Sequence, residues 1–465
     1  NAPDTAQSTP WQVNVENVNL RNIDYSMTML PTIEHLQAHV GQAHLQGTAI
    51  NTGDCVVDVK QFMADSVQCN LAMMNAHDAA IYNRLHPVPV DTSQSSPWRV
   101  DLGAVQVKHI AYGMTMLPAI DKLNLAVGSL DMGKCIVNMG TRQVVLASMK
   151  LDSTQCHYYT LGAKAAARFE QTHPTPPDTA HEEPSLPWMI DADTLMLTHG
   201  NILYATTGYK PTSRAFDPNY VEVSNFNLAV NHFHNQGASL RVPITRTTAV
   251  ERCGLQVKNL TGVLEMNESK LDLNHFRLTT LLSDIKLDAH APLSLMQPRP
   301  RGRFHATTHA QVALQELSML SPTLKHTLKM VPQYKPIAIK GSLDGSPGQL
   351  NITSFSADIP KYAHAKVRGV INQPLNFKKL SGDLAFEANF SNINFVKPTL
   401  LDKAQRKQIN FPPMLLNGRA RFSGDTYAGN VNMKLRGGSM VGKGSFSGNS
   451  QHYYVDAGFN HFPIK

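Results

Sequence analysis

Residue types able to do chemistry are few in this chain of 465 residues, and their spacing is poor. His305 and His309 in "HATTH" stand four apart, as a pair of zinc ligands on a helix would, but no glutamate follows the first histidine and the flanking residues predict a strand. His232 and His234 in "NHFHN" fall on one side of a strand with no third ligand spaced nearby. The glycines of "GKGSFSG", Gly442 to Gly448, fit neither a nucleophile elbow nor a phosphate loop and read as glycine at strand bends. Met27 and Met29, and again Met114 and Met116, offer thioethers that can bind copper or line an apolar surface; Ile23 and Tyr25, with Ile110 and Tyr112, share their parity, which favours lining. Five cysteines, Cys55, Cys69, Cys135, Cys156 and Cys253, form no CxxC pair or zinc spacing, and their odd number leaves at least one thiol unpaired within the chain. Bridges Cys55 to Cys69 and Cys135 to Cys156 stay open. No catalytic residue, metal or cofactor is expected, and the chain does not read as an enzyme.

The methionines belong to a longer pattern. "IDYSMTMLPTI" (23–33) returns as "IAYGMTMLPAI" (110–120), and the same offset of 87 carries Trp11 onto Trp98, Val40 onto Val127, Cys69 onto Cys156 and His86 onto His173. A unit is therefore copied whole. Cys69 and Cys156 share one repeat position, which favours two equivalent buried thiols. All three tryptophans, Trp11, Trp98 and Trp188, follow a proline and mark unit starts, where they are expected to cap one unit against the next. In the third copy Tyr204 matches Tyr112 only after two extra residues, and "TTGYKPTSRAFDPNY" then inserts a loop.

Within a unit, apolar and polar residues alternate with period two, the mark of a strand with one wet face. Trp11, Val13 and Val15 share a parity, Val18 and Leu20 take the other, and Ile23, Tyr25, Met27 and Met29 return to the first. The parity breaks near Glu16-Asn17 and Arg21-Asn22 call for a bulge or tight turn that restores the face. Pro31 and Pro118 end these strands. Short helices are expected at "NAHDAAIYNRL" and "GAKAAARFEQT", ahead of His86-Pro87 and His173-Pro174. Leu255 to Leu278 reads as a β-meander. Beyond about residue 300, "SPTLKHTLKMVPQYKPIAIKGSLDG" and "KPTLLDKAQRKQINFPPMLLNGRARFSGD" each predict a short helix, then a strand. Five units follow: 1–94, 95–183, a longer 184–299, and helix-plus-strand units 300–397 and 398–465.

The composition, 42% hydrophobic and 17% charged, is that of an ordered protein, so wholesale disorder is excluded. A formal charge of +7 permits an anionic partner, yet the densest basic stretch, "PRPRGRF" from Pro298 to Phe304, reads as a solvated linker, and no nucleic-acid partner is expected. No apolar run reaches the roughly 18 to 20 residues that span a bilayer as a helix. The first residues are neither signal peptide nor anchor and lack methionine, so a processed product or a fragment of a longer protein is expected.

An all-β chain with one long apolar face must cover it by closing as a sandwich or barrel, by packing helices on it, or by curling into a trough for an apolar ligand. At about 0.8 kcal/mol per methylene, a sixteen-carbon acyl chain gains on the order of 10 kcal/mol in such a trough before binding costs. The repeating "PWxVxV…VxLxxIxYxMTMLP" units, with "PTL" helices and "I/LxGxxxG" strands, resemble the AsmA-like proteins, specifically the TamB branch of Bacteroidota. That resemblance implies an elongated, repetitive antiparallel sheet curled into an open apolar groove, the β-taco. It also implies a periplasmic location, an inner-membrane anchor outside these residues, and transfer of phospholipids between inner and outer membranes. An Omp85-type outer-membrane partner is implied as well, with a scaffold for outer-membrane protein assembly as the alternative role and a self-packed structural or adhesin array as a further one. The groove lining implied is Val13, Val15, Ile23, Tyr25, Met27 and Met29, with Val100, Leu102, Ile110, Tyr112, Met114 and Met116 in the second copy.

Overall fold

A computed structural model describes residues 10–86, 96–174, 187–211, 213–296, 300–320, 328, 335–374, 376, 379–397 and 401–461. It is all-β in the sense expected: 22 strands among the described residues, nearly all paired antiparallel, with a few short helices. The chain forms two compact units, Asn1–Gln256 and Val257–Lys465, a coarser division than the five stretches above.

The first unit is built from three-stranded meanders. The first comprises β1 (Gln12–Met29), β2 (Ile33–Asn51) and β3 (Val56–Met73), followed by helix α1 (Ala76–Leu85). The second comprises β4 (Arg99–Met116), β5 (Ile120–Met132) with its continuation β6 (Cys135–Asn138), and β7 (Gln143–Thr160), followed by helix α2 (Ala163–Thr172). The third comprises β8 (Met189–Thr206), β9 (Tyr220–Gln236) and β10 (Ser239–Glu251). Both helices stand where alanine-rich composition put them, and Asn75 caps α1 by accepting from the Asp78 amide at 3.0 Å. Because each meander has an odd number of strands, the chain crosses back through its helix and the next meander joins in parallel. β3 pairs β4 and β7 pairs β8 in that sense, a departure from the wholly antiparallel expectation.

The parity breaks have an unexpected cause. Arg21 pairs with Gln42 and Ile23 with Val40, so Asn22 stands opposite Gly41 with no extra residue on either strand. The row continues through Ser66, His109, Gly128, Ser153 and His199, and the non-glycine members all take left-handed backbone, with φ of 49° at Asn22, 59° at Ser66, 49° at His109, 55° at Ser153 and 53° at His199. One left-handed residue advances the side-chain alternation by one, and doing so in five strands at the same rung, with Gly41 and Gly128 completing the row on β2 and β5, creases the sheet without slipping its register. The alternating strands thus reset together, and neither the bulge nor the tight turn expected from parity is used. Gly128 is required beside this row, since a Cβ there would lie 2.9 Å from the Ser153 Cβ. A second crease passes Glu16, Gly47 (φ 62°), Lys60 and Gly103.

The second unit comprises β11 (Gln256–Met266), β12 (Lys270–Thr280), β13 (Asp284–Pro292), β14 (Phe304–Val312), helix α3 (Leu314–Leu320), β15 (Ile337–Ser346), β16 (Gln349–Ile359), β17 (Ala363–Asn372) and β18 (Ser381–Phe390). Then follow the one-turn helix α4 (Gln405–Gln408), β19 (Met414–Ser423), β20 (Thr426–Leu435), β21 (Gly438–Ser447) and β22 (His452–Asn460). Each strand from β11 to β22 pairs antiparallel with the next. The "PTL" residues 322–324 and 398–400 lie outside the described residues, while the strands expected after them are β15 and β19.

Candidate functional site

Register converts the one-dimensional parity into continuous apolar rungs running across the strands. In the first unit Leu20, Ala43, Ala64, Val107, Leu130, Leu151, Leu197 and Leu228 stand side by side, ending at Thr247. A parallel rung runs Val18, Leu45, Phe62, Val105, Met132, Met149, Leu195, Val230 and Ile244. The second unit repeats the device across twelve strands, from Leu260 through Leu278, Ile285, Ala310, Ile339, Ala357, Ala365, Ala388, Leu416, Met433 and Met440 to Phe459.

The twelve residues proposed from parity all fall on such rungs, in matched pairs three strands apart. Val13 is joined to Val100 through Ile50 and Val57, Val15 to Leu102 through Thr48 and Val59, and Ile23 to Ile110 through Val40 and Val67. Tyr25 reaches Tyr112 through Ala38 and Cys69, and Met27 reaches Met114 through Leu36 and Leu71. Met29 pairs Ile33 and Met116 pairs Ile120 at the strand ends. Ile23, Leu102 and Ile110 pack on the buried cluster Ala43, Ala64, Val105 and Val107, so residues from both sides of the creases share one face. In the third copy Tyr204 sits beside Tyr158 on the Met114 rung, and Ile202 takes the place of Tyr112. The two extra residues inferred from matching tyrosines are thus overturned: ladder position, and not side-chain identity, sets equivalence. The inserted loop follows Thr206 as expected.

Coverage of this face is incomplete. Among the described residues no large side chain is fully buried. The two buried clusters draw on strands that follow one another in the ladder, β1 to β5 and β4 to β9, so the burial is lateral within one sheet. No residue of α1 or α2 is itself fully buried. The second unit has an apolar concavity of about 570 Å³ whose lining includes Phe386, Val431, Met440, Val455 and Phe459. Parity missed a supporting device there: Phe304 faces Gly345, Phe355 faces Gly341, Phe386 faces Gly418 and Phe422 faces Gly382 on adjacent strands. A Cβ on Gly345 would lie 2.1 Å from the Phe304 ring, so the glycines are the seats of the rings.

The polar groups are arranged in pairs between strands. His39 and Asp24 (2.7 Å), His234 and Asp191 (2.7 Å), His290 and Asp272 (2.7 Å), and His305 and Asp344 (2.9 Å) face each other across ladders. On the crease, the His109 Nδ1 lies 2.8 Å from Asp65 Oδ1, and Ser66 donates its hydroxyl to the same oxygen at 3.0 Å. The copy is His199, Asp152 and Ser153. These are not hydrolase triads: serine and histidine both bind the carboxylate, and no imidazole is hydrogen-bonded to its serine, so no base activates the hydroxyl. Hydrogen bonds from Thr198 and His199 hold the Asp152 carboxyl down to about 2. Buried Glu316 accepts from the Thr280 hydroxyl (2.6 Å) and the Leu282 amide (3.0 Å), tying α3 to the turn after β12. No group of three or more metal-ligating side chains occurs among the described residues. All five cysteines are free; Cys69 and Cys156 share a rung but are separated by Tyr112 and Leu125, and burial raises the Cys135 and Cys156 thiols.

Trp11 is exposed at the outer edge, whereas Trp98 is half-buried at the joint between the first and second meanders. No helix is long and apolar enough to cross a membrane among the described residues.

No family model matches this chain, and no curated protein matches it. Among solved structures, it is similar at 8% identity to Pseudomonas aeruginosa OccK8 (OprE), covering 51% of this chain and 65% of that one with a TM-score of 0.18.

Proposed function

We propose that the protein is a non-enzymatic, periplasmic bridge-like lipid carrier of the AsmA and TamB kind, along whose apolar rungs phospholipid acyl chains lie. The observation that carries this reading is the unbroken apolar rung, repeated in strand after strand and left half-covered. A conduit needs the same lining at every depth and no chemistry, whereas a self-packed array would bury large side chains fully. The headgroup stays in water beside the groove, because desolvating a phosphate without partners costs far more than the acyl chain gains. Anchorage in the inner membrane, delivery to the outer membrane and an Omp85-type partner belong to the same proposal.

Replacing Met27, Met29, Met114 and Met116 together by aspartate tests it. Photo-crosslinking to phospholipid is expected to fall at least tenfold while the far-ultraviolet β-sheet signal is kept. Unchanged lipid capture by the quadruple variant overturns the assignment.

A further inference from the structure

We propose that the wet face of the second unit holds a binding site for a phosphorylated saccharide, in a cleft of about 800 Å³ across β15 to β20. Small-ligand sites commonly enclose about 300 to 1,000 Å³. One residue along from the apolar rung of Ile339, Ala357, Ala365, Ala388, Leu416 and Met433, a second rung runs Lys340, Ser356, Lys366, Glu387, Asn417 and Asn432. Successive residues of a strand face opposite sides, so this rung belongs to the face away from the apolar one. All six of its residues line the cleft, and Arg368 joins them from two places beyond Lys366 on β17.

The charge of the cleft is unbalanced. Three cations, Lys340, Lys366 and Arg368, meet one carboxylate, Glu387, and among the described residues no ion pair joins any of the four. Further along the same face Arg277 has Asp284 at 2.6 Å, Arg421 has Asp383 at 3.0 Å and Lys443 has Asp456 at 3.2 Å. Like charges gathered on one stretch of ladder cost stability, and a bound anion offsets that cost. Neighbouring strands lie about 4.8 Å apart, so Lys340 and Lys366, on either side of β16, stand on the order of 10 Å apart at the backbone, a gap their flexible side chains close around one phosphate. β16 is bulged at this point, where Thr353 and Ser354 together oppose Arg368; a bulge re-aims side chains, and all three line the cleft. The far end is uncharged. Asn432 donates to Asn417 Oδ1 at 3.1 Å and the Arg419 amide donates to Asn430 Oδ1 at 3.0 Å, which leaves the Nδ2 groups of Asn417 and Asn430 as donors and Glu387 as an acceptor for hydroxyls. Inorganic phosphate would leave the amide end unused, and a neutral sugar would leave the cations unpaired.

Isothermal titration of the full chain with trehalose 6-phosphate, trehalose and inorganic phosphate tests this. Trehalose 6-phosphate is expected to bind one to one, at least tenfold more tightly than either of the others, and less tightly as salt is raised. The double variant Lys366→Gln with Arg368→Gln is expected to weaken it at least tenfold. Lys286→Gln, on the same rung through His309 but outside the cleft, is expected to leave it unchanged. Inorganic phosphate bound as tightly as trehalose 6-phosphate, no binding of trehalose 6-phosphate, or equal binding by the double variant overturns the proposal. Binding of phosphatidylglycerol vesicles with no sugar phosphate bound overturns it too, and would make this face a membrane contact. None of these outcomes bears on lipid capture by the apolar rungs of the opposite face.

Discussion

β1 to β4 each run 18 or 19 residues and cross two creases, whereas β15 to β21 run 10 or 11 residues and hold their rungs with glycine-seated phenylalanines. Both arrangements keep one face apolar, but by different physics. A long strand twists continuously, and left-handed residues aligned in five of the strands turn the sheet at one line, so rungs on either side still share a face. The short strands reset one at a time instead: β16 bulges where Thr353 and Ser354 oppose Arg368, next to Gly369 at φ 144°. A short strand has fewer rungs to bury, and a large ring laid over a neighbouring glycine widens each one.

The contrast is broken most severely by charge on a buried rung. Val105→Asp sets an unpaired carboxylate among Ala43, Ala64 and Val107 and is expected to cost about 4 kcal/mol or more by chemical denaturation. Val455→Asp, at a position 75% exposed on β22, is expected to stay within about 0.5 kcal/mol. Similar losses from both would mean that the two rungs are equally covered.

Next come the devices themselves. Phe386→Ala unseats the ring from Gly418 and is expected to cost about 2 to 3 kcal/mol, a half-buried version of a core truncation. Gly103→Ala tests the creased unit in the same range, about 1 to 3 kcal/mol, since the new Cβ would lie 2.3 Å from the Lys60 carbonyl oxygen. Thermal melts of both variants check the pair.

Smaller effects separate backbone from side chain at the β9 bulge beside the crease, between the Gly200–Phe226 and Ile202–Val223 pairs. Asn225 on β9 has φ 51°, so Asn225→Gly is expected to be neutral or stabilising by a few tenths of a kcal/mol, while Asn225→Val costs about 1 to 2 kcal/mol. Equal stabilities of the two variants would show that left-handed backbone is not needed there.

The least effect is in the acid range. Asp152 has its pKa lowered from 3.8 to about 2, chiefly by the Thr198 hydroxyl and then by His199. A depressed carboxyl adds stability that is present above its ordinary value and is lost as pH falls from about 4 towards about 2. Asp152→Asn should flatten that part of the stability profile, and Asp383→Asn, which removes the partner of Arg419 and Arg421 in the second unit, should lessen the stability lost on acidification below the ordinary carboxylate range.

Much of this was legible in order of residue type. The offset of 87 found the meanders, alanine content placed α1 and α2, and parity put all twelve proposed lining residues on rungs. Parity works because neighbouring residues of a strand point to opposite faces whatever the strand pairs with. It failed where identity stood in for position: Tyr204 resembled Tyr112 yet belongs with Met114. It was also blind to the histidine and aspartate pairs, whose partners lie up to 47 residues apart along the chain.

By itself, then, the sequence determined the repeat, the strands and which residues are apolar on which parity, since these depend on local periodicity alone. Only the tertiary structure decided that meanders join in parallel and that Asn22, Ser66, His109, Ser153 and His199 align as one crease. Those outcomes depend on which strand pairs with which and in what register, a choice made between segments distant in the chain and fixed by burying their rungs together.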